Sequence, residues 1–340
     1  MEYNQILKNA RENMAGFCIG CPICNGIACK TKVPGPGGKG TGDAYTRNFA
    51  AFSNIKINMD TIFDSMEADT QIELFGRKFS IPVFAAPIGA PRVHYGELLT
   101  DDEYSRILFE GCKDSGILAF GGDGPADNAF SAPLEIIRSL DGYGIPTIKP
   151  WSVEEMIRKI KLAEDAGVFA LATDIDGSGL AMLKKSNTPV GPKSIADLKT
   201  LVDSTELPLI LKGVMTAKGA TKAVEAGAYG IVVSNHGGRV LDQTPATIEV
   251  LSEIVKAVEG KIKIFIDGGI RSGIDIFKCL ALGADAVLIG RPFATMIYGG
   301  GKEAIHTYVQ KLRTELAETM EMAGANNLRE ISKEMVRFIG

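Results

Sequence analysis

The chain has 340 residues, 45% of them apolar, and a formal net charge of -4 with a pI near 5.6. That length suits one α/β barrel as well as two average domains, and the acidic balance gives no basic footprint for nucleic acid. No apolar run reaches the roughly 18 residues that span a bilayer, and Met1 to Met14 is polar and charged rather than a signal peptide. A cytoplasmic protein with no membrane partner is expected, and its six cysteines are expected as thiols or metal ligands rather than disulfides.

Residues 2–14 read as a short helix, after which comes Cys18-x2-Cys21-x2-Cys24-x4-Cys29. Four thiols in so short a stretch, punctuated by Gly20, Pro22 and Gly26, can fold around one ion or cluster. The spacing approaches the ferredoxin-type run without matching its last gap, and CxxC pairs also suit zinc. An iron–sulfur cluster, zinc, and a redox-sensitive arm that binds nothing are all open at this point. Residues 33–42 form a turn-rich Gly/Pro linker. The expected division is an N-terminal helix, cysteine cluster and linker over 1–42, then a barrel over 43–340.

From residue 80 a beat of short apolar strand, loop and amphipathic helix repeats. Strands are predicted at Ile81 to Pro87, Gly116 to Gly122, Ile145 to Pro150, Val168 to Asp176, Pro208 to Gly213, Gly230 to Gly237, Ile262 to Gly269 and Ala286 to Pro292. Helical spacing marks Val153 to Ala166, Ala217 to Ala226, Thr247 to Val258 and Gly273 to Leu282. Eight strands alternating with helices predict a closed (β/α)8 TIM barrel of the α/β class, carrying the cysteine-containing extension.

Such a barrel keeps its chemistry at the C-terminal ends of its strands, and polar residues gather there. Strand 3 ends at Lys149, strand 4 at Asp174 and Asp176, strand 5 at Lys212, strand 6 at His236 and Arg239, strand 7 at Asp267-Gly268-Gly269 with Arg271, and strand 8 at Gly290-Arg291. His236 exchanges a proton near neutral pH, and Arg239 offers a planar fork to a carboxylate. Glycines, arginines and helix N-termini after strands 7 and 8 can hold a phosphate. Of the remaining residues, His94 is expected at the surface, His306 in a structural helix and Cys112 and Cys279 in packing, while Trp151 can cap a pocket or pack between helices.

The run Val233-Ser-Asn-His-Gly-Gly-Arg-Val-Leu-Asp242 with Pro245-Ala-Thr247, then Ile266-Asp-Gly-Gly-Ile-Arg271, Ala281-Leu-Gly-Ala284 and Ile289-Gly-Arg-Pro292, resembles the FMN-dependent 2-hydroxy-acid oxidase and dehydrogenase family. Asn48-Phe-Ala-Ala-Phe52 is similar to a segment preceding that family's barrel. The resemblance implies an FMN oxidoreductase that turns a small L-2-hydroxy acid into the 2-keto acid. His236 would be the base and Arg239 the carboxylate clamp, Asp176 the partner of the histidine with Asp174 competing, and Lys212 the charge beside the flavin ring. Pro87, Ile88, Gly89, Ser234, Gly237, Asp267, Gly268, Gly269, Arg271, Gly290 and Arg291 would join Lys212 and His236 in holding FMN. It also implies a homo-oligomer.

Several positions depart from the family. Two tyrosines usual over the substrate lack counterparts, one near Cys29 to Val33 and one where Ile148 or Lys149 stands, which makes Lys149 a second candidate contact for the substrate. Phe120-Gly-Gly-Asp-Gly124 stands where a hydroxyl-bearing flavin contact is usual. The loop between Asp176 and Lys212 is short, and the cysteine cluster is foreign to the oxidases, so the electron acceptor is open. Two other readings stand beside the leading one: a non-redox FMN isomerase of the isopentenyl diphosphate isomerase type, and an electron-relay protein centred on the cysteines.

Overall fold

The computed structural model describes residues 1–126, 128–184 and 190–339. Its centre is an eight-stranded parallel sheet made of β1 (Val83–Ala85), β2 (Phe120–Gly121), β3 (Ile145–Ile148), β4 (Leu171–Asp174), β5 (Leu209–Val214), β6 (Gly230–Val233), β7 (Lys263–Ile266) and β8 (Ala286–Ile289). Each strand neighbours the next in sequence, and β8 returns to β1. Closure between β1 and β2 runs through Ala85, whose N–H donates to the Leu118 carbonyl at 2.9 Å. All eight predicted strands are present, several cut shorter at their polar ends. The four predicted helices appear as Val153–Asp165, Ala217–Glu225, Thr247–Val258 and Gly273–Ala281.

The strands are short runs of β-branched and apolar residues buried on both faces, as a parallel sheet covered by helices requires. Ile231, Val232 and Val233 of β6 and Phe265 and Ile266 of β7 are fully buried. A hairpin of Ile72–Leu74 and Arg77–Phe79 closes the N-terminal end of the barrel. Its turn residue Phe75 packs against Phe265 with ring centroids 6.3 Å apart and against Tyr229 at 5.2 Å. With that end plugged by aromatics, the C-terminal end is left for chemistry.

The N-terminal helix Tyr3–Asn13 buries Ile6, Leu7 and Ala10 in the same core cluster as Ile297, Tyr298 and Ile305 of the long helix Arg291–Ala323. The cysteine segment is thereby tied at its start, and the linker leads it across the barrel mouth. Ile55–Ile57 pairs antiparallel with Val336–Phe338, which brings the C-terminal segment back to the chain before the barrel. Part of the loop between β4 and β5, residues 185–189, lies outside the described residues. No helix among the described residues is long and apolar enough to cross a membrane.

Candidate active site

Beyond β6 the backbone makes an unusual turn. His236, Gly237 and Gly238 all take positive φ values of 58°, 62° and 77°, a left-handed run that a histidine adopts only at some cost. The turn aims the His236 ring across the mouth while exposing the Gly237 carbonyl to Arg291 Nη2 at 2.9 Å. A Cβ at 237 would stand 2.4 Å from Arg291 Nη1 and displace that guanidinium. One turn of chain therefore orients both the candidate base and the arginine that starts the helix after β8.

The His236 Nδ1 lies 3.0 Å from Asp176 Oδ1. With the proton on Nδ1, that N–H donates to the carboxylate and the Nε2 lone pair is left for a substrate. Asp174, the competing candidate, turns instead to two lysines: Lys149 Nζ at 2.5 Å and Lys212 Nζ at 3.2 Å. Those two ammonium groups hold the Asp174 carboxyl far below its ordinary range although burial alone would raise it. Burial opposes the charge on Lys212 too, but Asp174, Asp267 and Asp176 together raise its pKa. Lys212 also donates to Ser234 Oγ at 3.2 Å, and Ser234 donates to Asp267 Oδ2 at 2.9 Å. Lys149, Asp174, Lys212, Ser234 and Asp267 are all less than one-tenth exposed, so the mouth is a buried lattice in which each charge faces an opposite one.

Arg239 approaches from the opposite side. Its Nη1 donates to the Gly35 carbonyl at 2.9 Å, and its Nη2 lies 3.2 Å from the His94 ring nitrogens. The expectation of a surface His94 is corrected here: it lines the mouth, takes the Gly35 N–H on Nδ1 at 3.2 Å, and is pushed down to about 3, first by burial and then by Arg239 and Arg291. Burial, followed by Arg291, lowers Arg239 to about 10. Sequence spacing missed His94 because its approach to Arg239 is a long-range contact. Tyr95, next to it, was missed for the same reason and is buried in the cavity wall.

Asp123 is a buried hub. It accepts from the Lys149 N–H at 2.9 Å, Trp151 Nε1 at 2.7 Å and Lys159 Nζ at 2.7 Å, which settles Trp151 as a packed residue and fixes the backbone that carries Lys149. His306 is exposed on the long helix, and Cys112 and Cys279 are buried.

The mouth encloses a cavity of about 400 Å³ lined by Pro87, Ile88 and Gly89 on one wall and by Lys149, Lys212, His236, Gly237 and Arg239 on another. Asp267 to Arg271 with Gly290 and Arg291 form its far end. Its residues fit a flavin mononucleotide. Asp267 Oδ1 is buried without a hydrogen-bond partner among the described residues, as an acceptor for a sugar-chain hydroxyl would be. Gly269 must be glycine, since a Cβ would fall 1.9 Å from the Asn48 carbonyl, and that close approach ties β7 to the Asn48 segment. At the phosphate end the two helix starts differ. The Gly273–Ala281 helix spends its first amides on protein carboxylates: Ser272 N–H goes to Asp275 and Gly273 N–H to Glu315. The Arg291–Ala323 helix has no side-chain cap. Its start, not that of the Gly273 helix, is the one suited to an anion. Arg271 and Arg291 both line this end. Arg271 Nε donates to the Cys24 carbonyl at 2.7 Å, and Arg291 stacks 3.7 Å over the Tyr45 ring, a contact with no sequence signal.

The family model for FMN-dependent dehydrogenases matches residues 35–185 and 181–338. Glycolate oxidase 3 of Arabidopsis thaliana is 33% identical over 88% of this chain and 89% of its own, and 2-hydroxyacid oxidase 2 of Bos taurus is 30% identical over 88% and 92%. Among solved structures, mandelate oxidase with (S)-2-phenylpropionate superposes with a TM-score of 0.79 at 27% identity, covering 99% of this chain and 98% of that one. The chain belongs to the FMN-dependent dehydrogenase family. Within it, the relatives define an FMN-dependent oxidoreductase of 2-hydroxy acids and favour that reading over the isomerase-type and pure-relay alternatives.

Proposed function

We propose that this enzyme oxidises a small L-2-hydroxy acid to the 2-keto acid, with His236 removing a proton from the substrate and Arg239 binding its carboxylate. The observation that carries the assignment is the 3.0 Å contact between His236 Nδ1 and Asp176, which leaves Nε2 as the free base of a ring that also lines the cavity. A positioned general base contributes about 10²- to 10⁴-fold to a proton transfer, and the Asp176 carboxylate steadies the imidazolium that forms. FMN, when bound, supplies the two-electron sink. Lys212, Ser234, Asp267, Gly268, Gly269, Gly290 and Arg291 would hold it together with Pro87, Ile88, Gly89 and Gly237, and Arg271 lies at the phosphate end.

Arg239 turns Nη1 to Gly35 and Nη2 to His94, and a guanidinium carries five N–H donors, so donors remain for a carboxylate. Lys149 supplies a second cation where the family usually has a phenol, and its pairing with Asp174 holds the ammonium in place. The protein is read as cytoplasmic, which fits its six unbridged thiols, and as a homo-oligomer by family resemblance.

The test is an anaerobic absorbance spectrum of the purified protein before and after addition of 2-hydroxy acids one at a time. Bleaching of a bound flavin band by one acid, with the keto acid formed in equal amount, is the expected result. A flavin band that no 2-hydroxy acid bleaches would contradict the reading.

A further inference from the structure

We propose that Cys18, Cys21, Cys24 and Cys29 hold an iron–sulfur cluster that carries electrons away from the flavin site, an inference resting on the FMN-dependent oxidation proposed above. All four cysteines are free, partly buried thiols lining one cavity of about 680 Å³ between the arm and the starts of the helices after β7 and β8. This cavity shares Tyr95, Arg271 and Arg291 with the flavin site, so the two lie back to back across the same arginines.

The size and charge of the cavity favour a cluster over a single ion. One zinc binds sulfur at about 2.3 Å, which draws four sulfurs to within roughly 4 Å of one another. In a cluster each thiolate instead binds its own corner iron, and the whole group needs more room than one ion. The cavity has room for more than an ion, and its charged lining is Lys32, Arg271, Lys278, Arg291 and Lys311 against the carboxylate of Asp275. A cluster with four thiolate ligands is anionic, and that lining complements it.

The same geometry gives a short route to the flavin site. Tyr45 Oη stands 3.8 Å from both Cys24 Sγ and Cys29 Sγ, its ring lies 3.7 Å under Arg291, and Arg291 Nη2 donates to the carbonyl of Gly237, next to His236, at 2.9 Å. The 2-hydroxy acid gives up two electrons and two protons. The electrons pass one at a time through the cluster to two molecules of a one-electron carrier protein, each reduced by one electron, and the protons go to solvent. Hydrogen bonding to cluster sulfurs favours the more negative, reduced state, so Tyr45 is placed to raise the cluster's potential.

The test uses anaerobically purified full-length protein, analysed for iron, acid-labile sulfide and zinc, with electron paramagnetic resonance spectra after dithionite and, separately, after the 2-hydroxy acid. Iron and sulfide in matching amounts are expected, with the signal of a reduced cluster under both reductants. Cys24→Ser should lose the iron, and Tyr45→Phe should keep it but show a lower midpoint potential. Zinc without sulfide, or neither metal, overturns the cluster; this result is read on the unaltered protein and does not depend on a variant folding. A cluster reduced by dithionite but not by an acid that bleaches the flavin overturns the relay. A flavin that stays oxidised with every 2-hydroxy acid overturns the proposed function, while the iron and sulfide analysis still decides the cluster.

Discussion

The barrel mouth and the N-terminal arm both bear on the candidate site, but they are built on different physics. In the mouth, side chains at the C-terminal ends of β3 to β7 satisfy one another: Lys149 and Lys212 share Asp174, and Ser234 bridges Lys212 and Asp267. In the arm, backbone carbonyls do the work. Gly35 accepts from Arg239, Pro36 and Gly37 from Arg291, and Cys24 from Arg271. The mouth is therefore fixed by the barrel and preorganised for chemistry, whereas the arm is held by arginines that it shares with the ligand sites.

The mouth depends most on Asp174. Asp174→Ala leaves two lysines buried beside a hole, and removing one member of a buried pair costs about 3–5 kcal/mol. Urea unfolding of the variant should show that loss as a lowered midpoint; a midpoint unchanged from the parent would mean that the lattice does not hold the mouth. Next in size is Arg239→Met, which deletes a charge-assisted contact worth about 1.5–3 kcal/mol, or roughly 10- to 150-fold in affinity. A titration of the oxidised flavin with a non-reacting carboxylate analogue should show that weakening, and an unaltered dissociation constant would remove Arg239 from the clamp.

A smaller effect comes from His94, between the two regions. Its pKa falls from 6.5 to about 3 in the folded protein, so between those pH values the unfolded chain binds a proton that the folded chain refuses. Stability should fall as pH drops through that window, by at most about 1.4 kcal/mol per pH unit. His94→Gln should flatten the slope, measured by urea unfolding at a series of pH values, and an unchanged slope would place the dependence elsewhere. The smallest effect belongs to the arm's outer tether. Thr41 donates to Asp242 through its N–H at 2.6 Å and its hydroxyl at 2.8 Å, in an exposed setting. Asp242→Ala should cost no more than about 1 kcal/mol and show itself as faster proteolysis within residues 33–42, with flavin reduction unchanged.

The difference between the regions also explains what could be read from sequence. Buried parallel strands have a strong apolar signature, so all eight strand positions were legible, as was the clustering of Lys149, Asp174, Lys212, His236 and Asp267 at their ends. Asp176 and Asp174 were both visible as partners for His236. Their separation was not, because it depends on where Lys149 Nζ and Lys212 Nζ converge. The arm's contacts left no trace in residue type, since a carbonyl of Gly35 or Pro36 is chemically the same as any other. His94 and Tyr45 were hidden for a related reason: each meets its arginine across a long stretch of chain, and neither sits in a spacing that marks it.

The most direct test of the central claim is anaerobic single-turnover reduction of bound FMN by a 2-hydroxy acid, followed by rapid mixing, with the parent protein and His236→Gln side by side. Equal flavin content is expected in both proteins, with flavin reduction slowed by about 10²- to 10⁴-fold in the variant. Equal reduction rates in the two would contradict that claim, because the proton would then be leaving the substrate by a route that does not need His236.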